Sequence, residues 1–312
     1  MNDVAGHPAT GGAQAVTATA PDNPVPALEV DHVSASYGPY RALFDVTFAV
    51  PQAGVTALIG SNGAGKSTVS RVVTGLLAST QGAIRLNGRD VTGLPVYRIA
   101  RAGAAHVPEG RGVFANLTVE ENLKLAFRQR GGRRGVPDSL ARAYQAFPLL
   151  AGRRKQHGGT LSGGEQRILS LAKVLVVPPG LLVADEISLG LAPVMIDAVY
   201  EGLRRINDAG TALLIVEQQV DRVLDVAETA VVLEHGSVAY SGPADGALVA
   251  VEHVLAARGE RLESDLHHPA DRVAPGRGAG QEGRRWRPWR PGRRAVGADG
   301  TGSTGSGREE RP

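Results

Sequence analysis

The stretch Gly60-Ser61-Asn62-Gly63-Ala64-Gly65-Lys66-Ser67 constrains this chain more than any other feature. It has the spacing G-x-x-x-x-G-K-[ST]. It follows the apolar run 55–59, and the helical pattern 65–77 begins inside it. Strand, glycine-rich turn and helix start in that order are the context such a motif requires. Glycines let consecutive backbone N–H groups converge on one point, and a helix N-terminus adds positive potential, so the turn is shaped to receive a polyphosphate. The residues expected around it are Gly60, Asn62, Gly63, Gly65, Lys66, Ser67 and Thr68. Lys66 is expected to reach the terminal phosphates, and the Ser67 hydroxyl to ligate Mg²⁺.

Two further segments fit a phosphate site. Leu181-Leu182-Val183-Ala184 is an apolar strand delivering Asp185 and Glu186 at its end. Asp185 is expected to hold Mg²⁺ and Glu186 to act as general base on an attacking water. Taken alone, the pair could equally be a strand ending in a charged loop. Leu161-Ser162-Gly163-Gly164-Glu165-Gln166 opens a helix running to about residue 176. Ser162 as cap and Glu165 three residues on form a capping box. A capped helix explains those two residues but not the Gly-Gly, which makes a second anion site of Ser162, Gly163, Gly164 and Gln166.

Around these motifs the pattern alternates. Strands are expected at 28–33, 44–50, 55–59, 83–86, 181–184 and 212–216, with a hairpin of 229–233 and 237–240 around His235-Gly236. Helices are expected at 65–77, 193–206 and 220–226. From 95 to 172 the character changes to helical, with Thr118-Val119-Glu120-Glu121 as a helix start and 128–134 as a basic loop between helices. Alternating strands and helices predict an α/β protein with a mainly parallel sheet covered on both faces. No internal repeat is visible.

Composition narrows the function classes. The chain has no cysteine, which excludes disulfide frameworks, thiolate metal sites and cysteine nucleophiles. The longest apolar stretch, 174–184, is cut by Pro178-Pro179-Gly180 and is too short to span a bilayer. Net charge is +3, yet the body 27–257 is nearly neutral, so no nucleic-acid partner is expected. The excess sits in an Arg-rich tail. Residues 1–26 lack the basic start and apolar run of a secretory signal and read as a disordered extension. Residues 258–312, rich in Gly, Arg and Pro, read as a disordered tail. Within that tail, 283–294 carries six Arg and both tryptophans, which reads either as a solvated extension or as a contact for an anionic membrane. Seven of the eight histidines show no metal-ligand spacing.

The phosphate loop, the Leu-Ser-Gly-Gly-Glu-Gln segment 96 residues beyond Lys66, and the strand ending in Asp-Glu together resemble the nucleotide-binding subunit of ABC transporters, over about residues 27–257. That resemblance implies a P-loop ABC nucleotide-binding domain: a mixed core sheet, an antiparallel β-subdomain and a helical signature subdomain at about 95–172. It also implies that Tyr37, in Ser36-Tyr37-Gly38, stacks on adenine, although an edge-strand core residue is an alternative. His106-Val107-Pro108-Glu109-Gly110-Arg111, Leu117-Thr118-Val119-Glu120-Glu121-Asn122-Leu123, Ser188-Leu189-Gly190-Leu191-Ala192-Pro193 and Val216-Glu217-Gln218 look like one ATP-binding subunit of branched-chain amino-acid importers. Relatives of that type serve urea and short-amide uptake.

Three positions depart from the broad ABC pattern. Glu109 stands where most members have Gln against Mg²⁺ and the attacking water. Gln218 stands where most have His at the γ-phosphate, and Ile187 where Pro is usual. Glu109 can ligate Mg²⁺ but cannot donate a hydrogen bond when ionised. Gln218 can donate but cannot exchange a proton near pH 7. The resemblance implies ATP and Mg²⁺ as ligands, with Glu186, Gln218 and Glu109 around the reacting water. It implies two transmembrane permease chains, a second and non-identical ATP-binding subunit, and an extracytoplasmic solute-binding protein as partners. The implied place is the cytoplasmic face of the cell membrane. A non-transport ABC ATPase acting on DNA or ribosomes, and an exporter, are the rival readings.

Overall fold

The structure, a computed structural model, describes residues 24–108, 112–132, 134–176 and 178–257. The expected extension up to residue 23, the tail from residue 258 with its Arg/Trp segment, and Glu109 lie outside the described residues. The strands are β1 (Leu28–Tyr37), β2 (Tyr40–Val50), β3 (Val55–Ile59), β4 (Ser79–Leu86), β5 (Arg89–Asp90), β6 (Ala104–Val107), β7 (Leu181–Asp185), β8 (Ala212–Glu217), β9 (Thr229–Glu234) and β10 (Ser237–Pro243). The helices are α1 (Lys66–Val73), α2 (Val96–Arg101), α3 (Val119–Gly131), α4 (Val136–Ala146), α5 (Pro148–Ala151), α6 (Gly163–Leu175), α7 (Pro193–Asp208), α8 (Val220–Leu224) and α9 (Ala247–Ala257).

They build two sheets. One is antiparallel, in the order β2-β1-β4-β5; the other runs β10-β9-β3-β8-β7-β6, parallel apart from the β9–β10 hairpin. β3, β7 and β8 are buried along their whole length, as parallel strands covered on both faces must be. Their alternate side chains face opposite ways. Ala57, Ile59, Leu182, Ala184, Leu213 and Ile215 pack with Leu123, Phe127, Leu169, Val199 and Leu203 from α3, α6 and α7. Leu58, Leu181, Val183, Leu214 and Val216 pack with Val69, Val72 and Val73 of α1 and with Leu28, Val30 and Val46 of the antiparallel sheet.

Register decides where the chemistry lies. Ile59 is level with Glu217, and Asp185 with Val216. The phosphate loop after β3, the acids at the end of β7 and Glu217-Gln218 at the end of β8 therefore meet at one carboxyl edge. Open α/β sheets bind ligands along that edge.

The segment 95–172 is not helical throughout. Ala104–Val107 is β6, the edge strand beside β7, paired Ala104 to Leu181 through Val107 to Ala184. Four residues carry too little periodicity to separate strand from helix, and the hydrogen-bond partner lies more than 70 residues away. β1 and β2 also run further than expected. His32 and Asp45 adopt positive φ (49° and 56°), and the ladder between β1 and β2 shifts register past Val30. These bulges break the two-residue alternation, so a period-based reading stops before the strands do. The helix expected at 65–77 is shorter, because Gly75 turns left-handed just after α1.

Asn122 fixes the start of the helical region. It is fully buried, and its Nδ2 is shared among the carbonyls of Phe114, Leu117 and Thr118 at 3.0–3.1 Å. Its Oδ1 accepts from the Phe114 N–H at 2.9 Å. Asn122→Ala strands those groups, and each buried unpaired polar group costs ~1–3 kcal/mol. The melting temperature of Asn122→Ala is expected to fall by roughly 5–10 °C in a calorimetric scan.

Candidate active site

α1 begins differently from α3 and α6. α3 and α6 both carry complete capping boxes, Thr118 with Glu121 and Ser162 with Glu165. α1 has no side-chain cap and no acid in its first turn, and its cap position is Gly65 at φ 107°. Its first N–H groups are therefore left for a ligand rather than for the chain's own side chains. Gly63 sits at φ 80° with nothing within 4 Å of where a β-carbon would stand, so its backbone faces open space. Gly60 is confined instead: a β-carbon there would lie 2.6 Å from the Leu233 carbonyl of β9.

Lys66 is buried under this turn. Its Nζ donates to the carbonyls of Gly60 (2.9 Å) and Ser61 (3.3 Å) and lies 3.7 Å from Glu186 Oε1. Burial pushes the Lys66 ammonium below its ordinary pKa, and the Glu186 carboxylate opposes that shift. Glu186 Oε1 also accepts from Gln218 Nε2 at 3.1 Å. Lys66, Glu186 and Gln218, predicted from three separate segments, are thus in contact. Glu217 lies behind them, buried, accepting the Ser188 N–H at 2.9 Å; burial pushes its carboxyl up. Asp185 is buried at the end of β7, with Oδ2 3.9 Å from His106 Nε2. Burial, and secondarily Arg71, push His106 down to about 4, so the imidazole is neutral at pH 7 and the pair is not an ion pair.

A groove of about 700 Å³ opens over the phosphate loop, a size that accommodates a nucleotide. Asn62, Gly63, Gly65, Lys66, Ser67, Thr68 and Glu186 line it, joined by Arg41, Ala42 and Phe44 from β2 and His235 from the β9–β10 turn. Sequence reasoning missed these last four. Arg41 to Phe44 match no motif, and His235 reads only as a turn residue. The turn reaches the site because Gly236 donates to the Ala64 carbonyl at 2.9 Å and accepts from the Phe44 N–H at 2.8 Å. A β-carbon on Gly236 would stand 2.3 Å from the Ala42 carbonyl.

Not every expected residue lines this groove. Tyr37 ends β1, and its hydroxyl accepts from Arg71 Nη1 at 3.0 Å; the ring lining the groove is Phe44, with the Arg41 guanidinium 4.9 Å from its centroid. Ser162 and Gly163 are exposed at the start of α6, apart from the groove residues. Gln166 lies inward of these two. It is 3% exposed and donates to the carbonyls of Gly158 (2.8 Å) and Leu161 (3.2 Å), so it braces the approach to α6. The donor set suits Mg²⁺: the Ser67 hydroxyl in the groove and the Asp185 carboxylate at the strand end are hard oxygen ligands of the kind that ion takes beside phosphates. Among the described residues no helix is long and apolar enough to cross a membrane.

A parallel-sheet phosphate-loop fold, carrying its acids at the same edge and joined to an antiparallel sheet and a helical unit opened by Ser162-Gly163-Gly164, defines an ATP-binding cassette. The chain belongs to the ABC transporter family. The family described as ABC transporter matches residues 43–188. The chain is 40% identical over 213 residues to the high-affinity branched-chain amino acid transport ATP-binding protein BraG of Pseudomonas aeruginosa, covering 68% of this chain and 90% of BraG. It is 37% identical over 219 residues to a probable branched-chain amino acid transport ATP-binding protein, LivF, of Archaeoglobus fulgidus, covering 70% and 92%. A solved ATP-binding subunit of an ABC transporter superposes with a TM-score of 0.64 at 29% identity, covering 72% of this chain and 93% of that one. The chain is accordingly an ATP-hydrolysing nucleotide-binding component of an ABC transporter.

Proposed function

We propose that this chain hydrolyses ATP at the Lys66–Glu186 groove to energise import of branched-chain amino acids or related polar solutes through separate permease chains in the membrane. The identity to two proteins named for branched-chain amino acid transport carries the import reading. Contact among Lys66, Glu186 and Gln218 supports the chemistry. Lys66 leaves the Gly60 and Ser61 carbonyls for the terminal phosphates, and Gly63 and Gly65 present backbone N–H groups to them. Ser67 and Asp185 hold Mg²⁺, which neutralises phosphate charge when bound. The Glu186 carboxylate takes the proton of the attacking water, while Gln218 orients it through its amide N–H. Glu109 is proposed as a further ligand of the water and ion. Adenine stacks on Tyr37, with Phe44 offering a second ring inside the groove.

Ser162, Gly163 and Gly164 complete the nucleotide site of a second ATP-binding subunit in a head-to-tail pair, which the exposure of Ser162 and Gly163 away from this chain's own groove favours. That subunit is related but non-identical. Segment 108–124 faces the permease, and the chain sits at the cytoplasmic membrane face through that contact. Gentle affinity purification from native membranes tests the assembly. Two polytopic chains, a second ATPase and a solute-binding protein are expected, and the ligand of that last protein identifies the solute. Recovery of ribosomes or DNA enzymes instead would overturn the transport reading.

A further inference from the structure

Glu186 holds φ 45°, the left-handed region that a β-carbon disfavours. A non-glycine residue stays there only when its surroundings over-determine it. Its restraints come from separate elements. The Glu186 N–H donates to the Val216 carbonyl of β8 at 2.8 Å, and Oε1 accepts from Gln218 at 3.1 Å. The Glu186 carbonyl accepts from Leu189 N–H at 3.4 Å and from Arg167 Nη2 at 3.2 Å.

Arg167 stands on α6 and is 7% exposed. The other arm of its guanidinium, Nη1, donates to the Pro108 carbonyl at 3.1 Å, just past the end of β6. The same side of α6 continues along this edge. A β-carbon on Gly112 would stand 2.8 Å from Ser170 Oγ, and Lys173 Nζ donates to the Gly112 carbonyl at 3.0 Å with the Phe114 ring 5.3 Å away. Residues 167, 170 and 173 are spaced by three and share a helix face. One helix thus grips Pro108, Gly112 and the backbone of Glu186.

We propose that Arg167 is a positioning residue for ATP hydrolysis: its planar fork ties the Glu186 carbonyl to the Pro108 carbonyl and so holds the left-handed backbone from which the Glu186 carboxylate is aimed. Arg suits this task because one guanidinium presents several donors in fixed directions and stays charged, and hydrogen bonds from a charged donor are about twice as strong as neutral ones. No other described contact of Glu186 reaches α6, and α6 begins at the exposed Ser162 only five residues earlier. A ligand bound at that N-terminus and the backbone of Glu186 are therefore joined by less than two turns of helix. The proposal rests on Glu186 being the general base.

The test uses the full chain in its transporter complex, with Arg167→Met, Arg167→Lys and Glu186→Gln measured side by side. Each is assayed for kcat and KM for ATP and for amide hydrogen exchange in peptides covering residues 186–190. Arg167→Met is expected to lower kcat by about 10–100-fold, the scale on which misplacing a reacting group by an ångström acts. KM stays within about twofold, exchange at 186–190 quickens, and Arg167→Lys recovers part of kcat. A merely structural role would lower kcat and ATP affinity together and would not be relieved by Lys; that outcome overturns the proposal, as does unchanged kcat or unchanged exchange. If Arg167→Met fails to fold, Arg167→Lys is judged by the same criteria. Glu186→Gln separates the two levels. Retained turnover there removes the base assignment and, with it, the positioning role argued from it, while loss in Glu186→Gln with unchanged kcat in Arg167→Met removes the positioning role alone and leaves the base.

Discussion

Glu186→Gln is expected to bind ATP within about threefold of the parent chain and to hydrolyse it about 10²–10⁴-fold more slowly, the range that a positioned general base supplies. The substitution keeps size and keeps an oxygen for the Gln218 Nε2 contact now measuring 3.1 Å. It removes the capacity to take a proton. It also removes the negative charge 3.7 Å from Lys66, whose ammonium burial already disfavours. The nucleotide-free variant should therefore melt lower than the parent, and ATP should restore the difference, because phosphate replaces the lost counter-charge and stabilises by mass action. Single-turnover hydrolysis, equilibrium binding and melting with and without ATP check the three parts. Turnover near the parent rate would remove Glu186 from the chemistry.

Lys66→Ala is expected to weaken ATP binding by at least about 100-fold. The side chain is 4% exposed, is held on the Gly60 and Ser61 carbonyls, and points its charge at the groove that Gly63, Gly65 and Ser67 line. Hydrogen bonds to charged groups are worth ~1.5–3 kcal/mol each, and Lys66 can make two or more to phosphate oxygens. Truncation also leaves the buried Glu186 carboxylate facing the incoming phosphates without a cation between them, adding like-charge repulsion. Titration with ATP at fixed low salt measures the loss. Affinity within a few-fold of the parent would mean that the backbone turn alone carries the phosphates. The two variants thus separate binding from chemistry at one ion pair.

The candidate site was legible where one short segment carries both a conformation and a reactive group. The phosphate loop, the Asp185-Glu186 strand end and the Ser162 capping box each combine local backbone demands with a side chain at fixed spacing, and each forms where expected. Residues that reach the groove by tertiary contact alone were not legible. Arg41 and Phe44 arrive on β2, and His235 arrives because the β9–β10 turn hydrogen-bonds to Ala64 and Phe44. Gln166 sits inside a recognisable motif, yet its amide turns inward to the Gly158 and Leu161 carbonyls. A motif specifies residue types, whereas the direction of a side chain depends on which backbone groups lie unpaired beside it.

The sequence by itself determined the α/β class, the family resemblance and the phosphate-loop turn at the start of α1, because glycine placement, apolar runs and cap residues act over a few residues. Tertiary structure alone decided that four-residue β6 closes the edge of the main sheet, that the antiparallel sheet delivers Phe44 to the groove, and that Glu186 is held left-handed between β8 and α6. Each depends on hydrogen bonds between segments far apart in the chain. No local pattern encodes such a pairing, because its partners exist only once the sheets have formed.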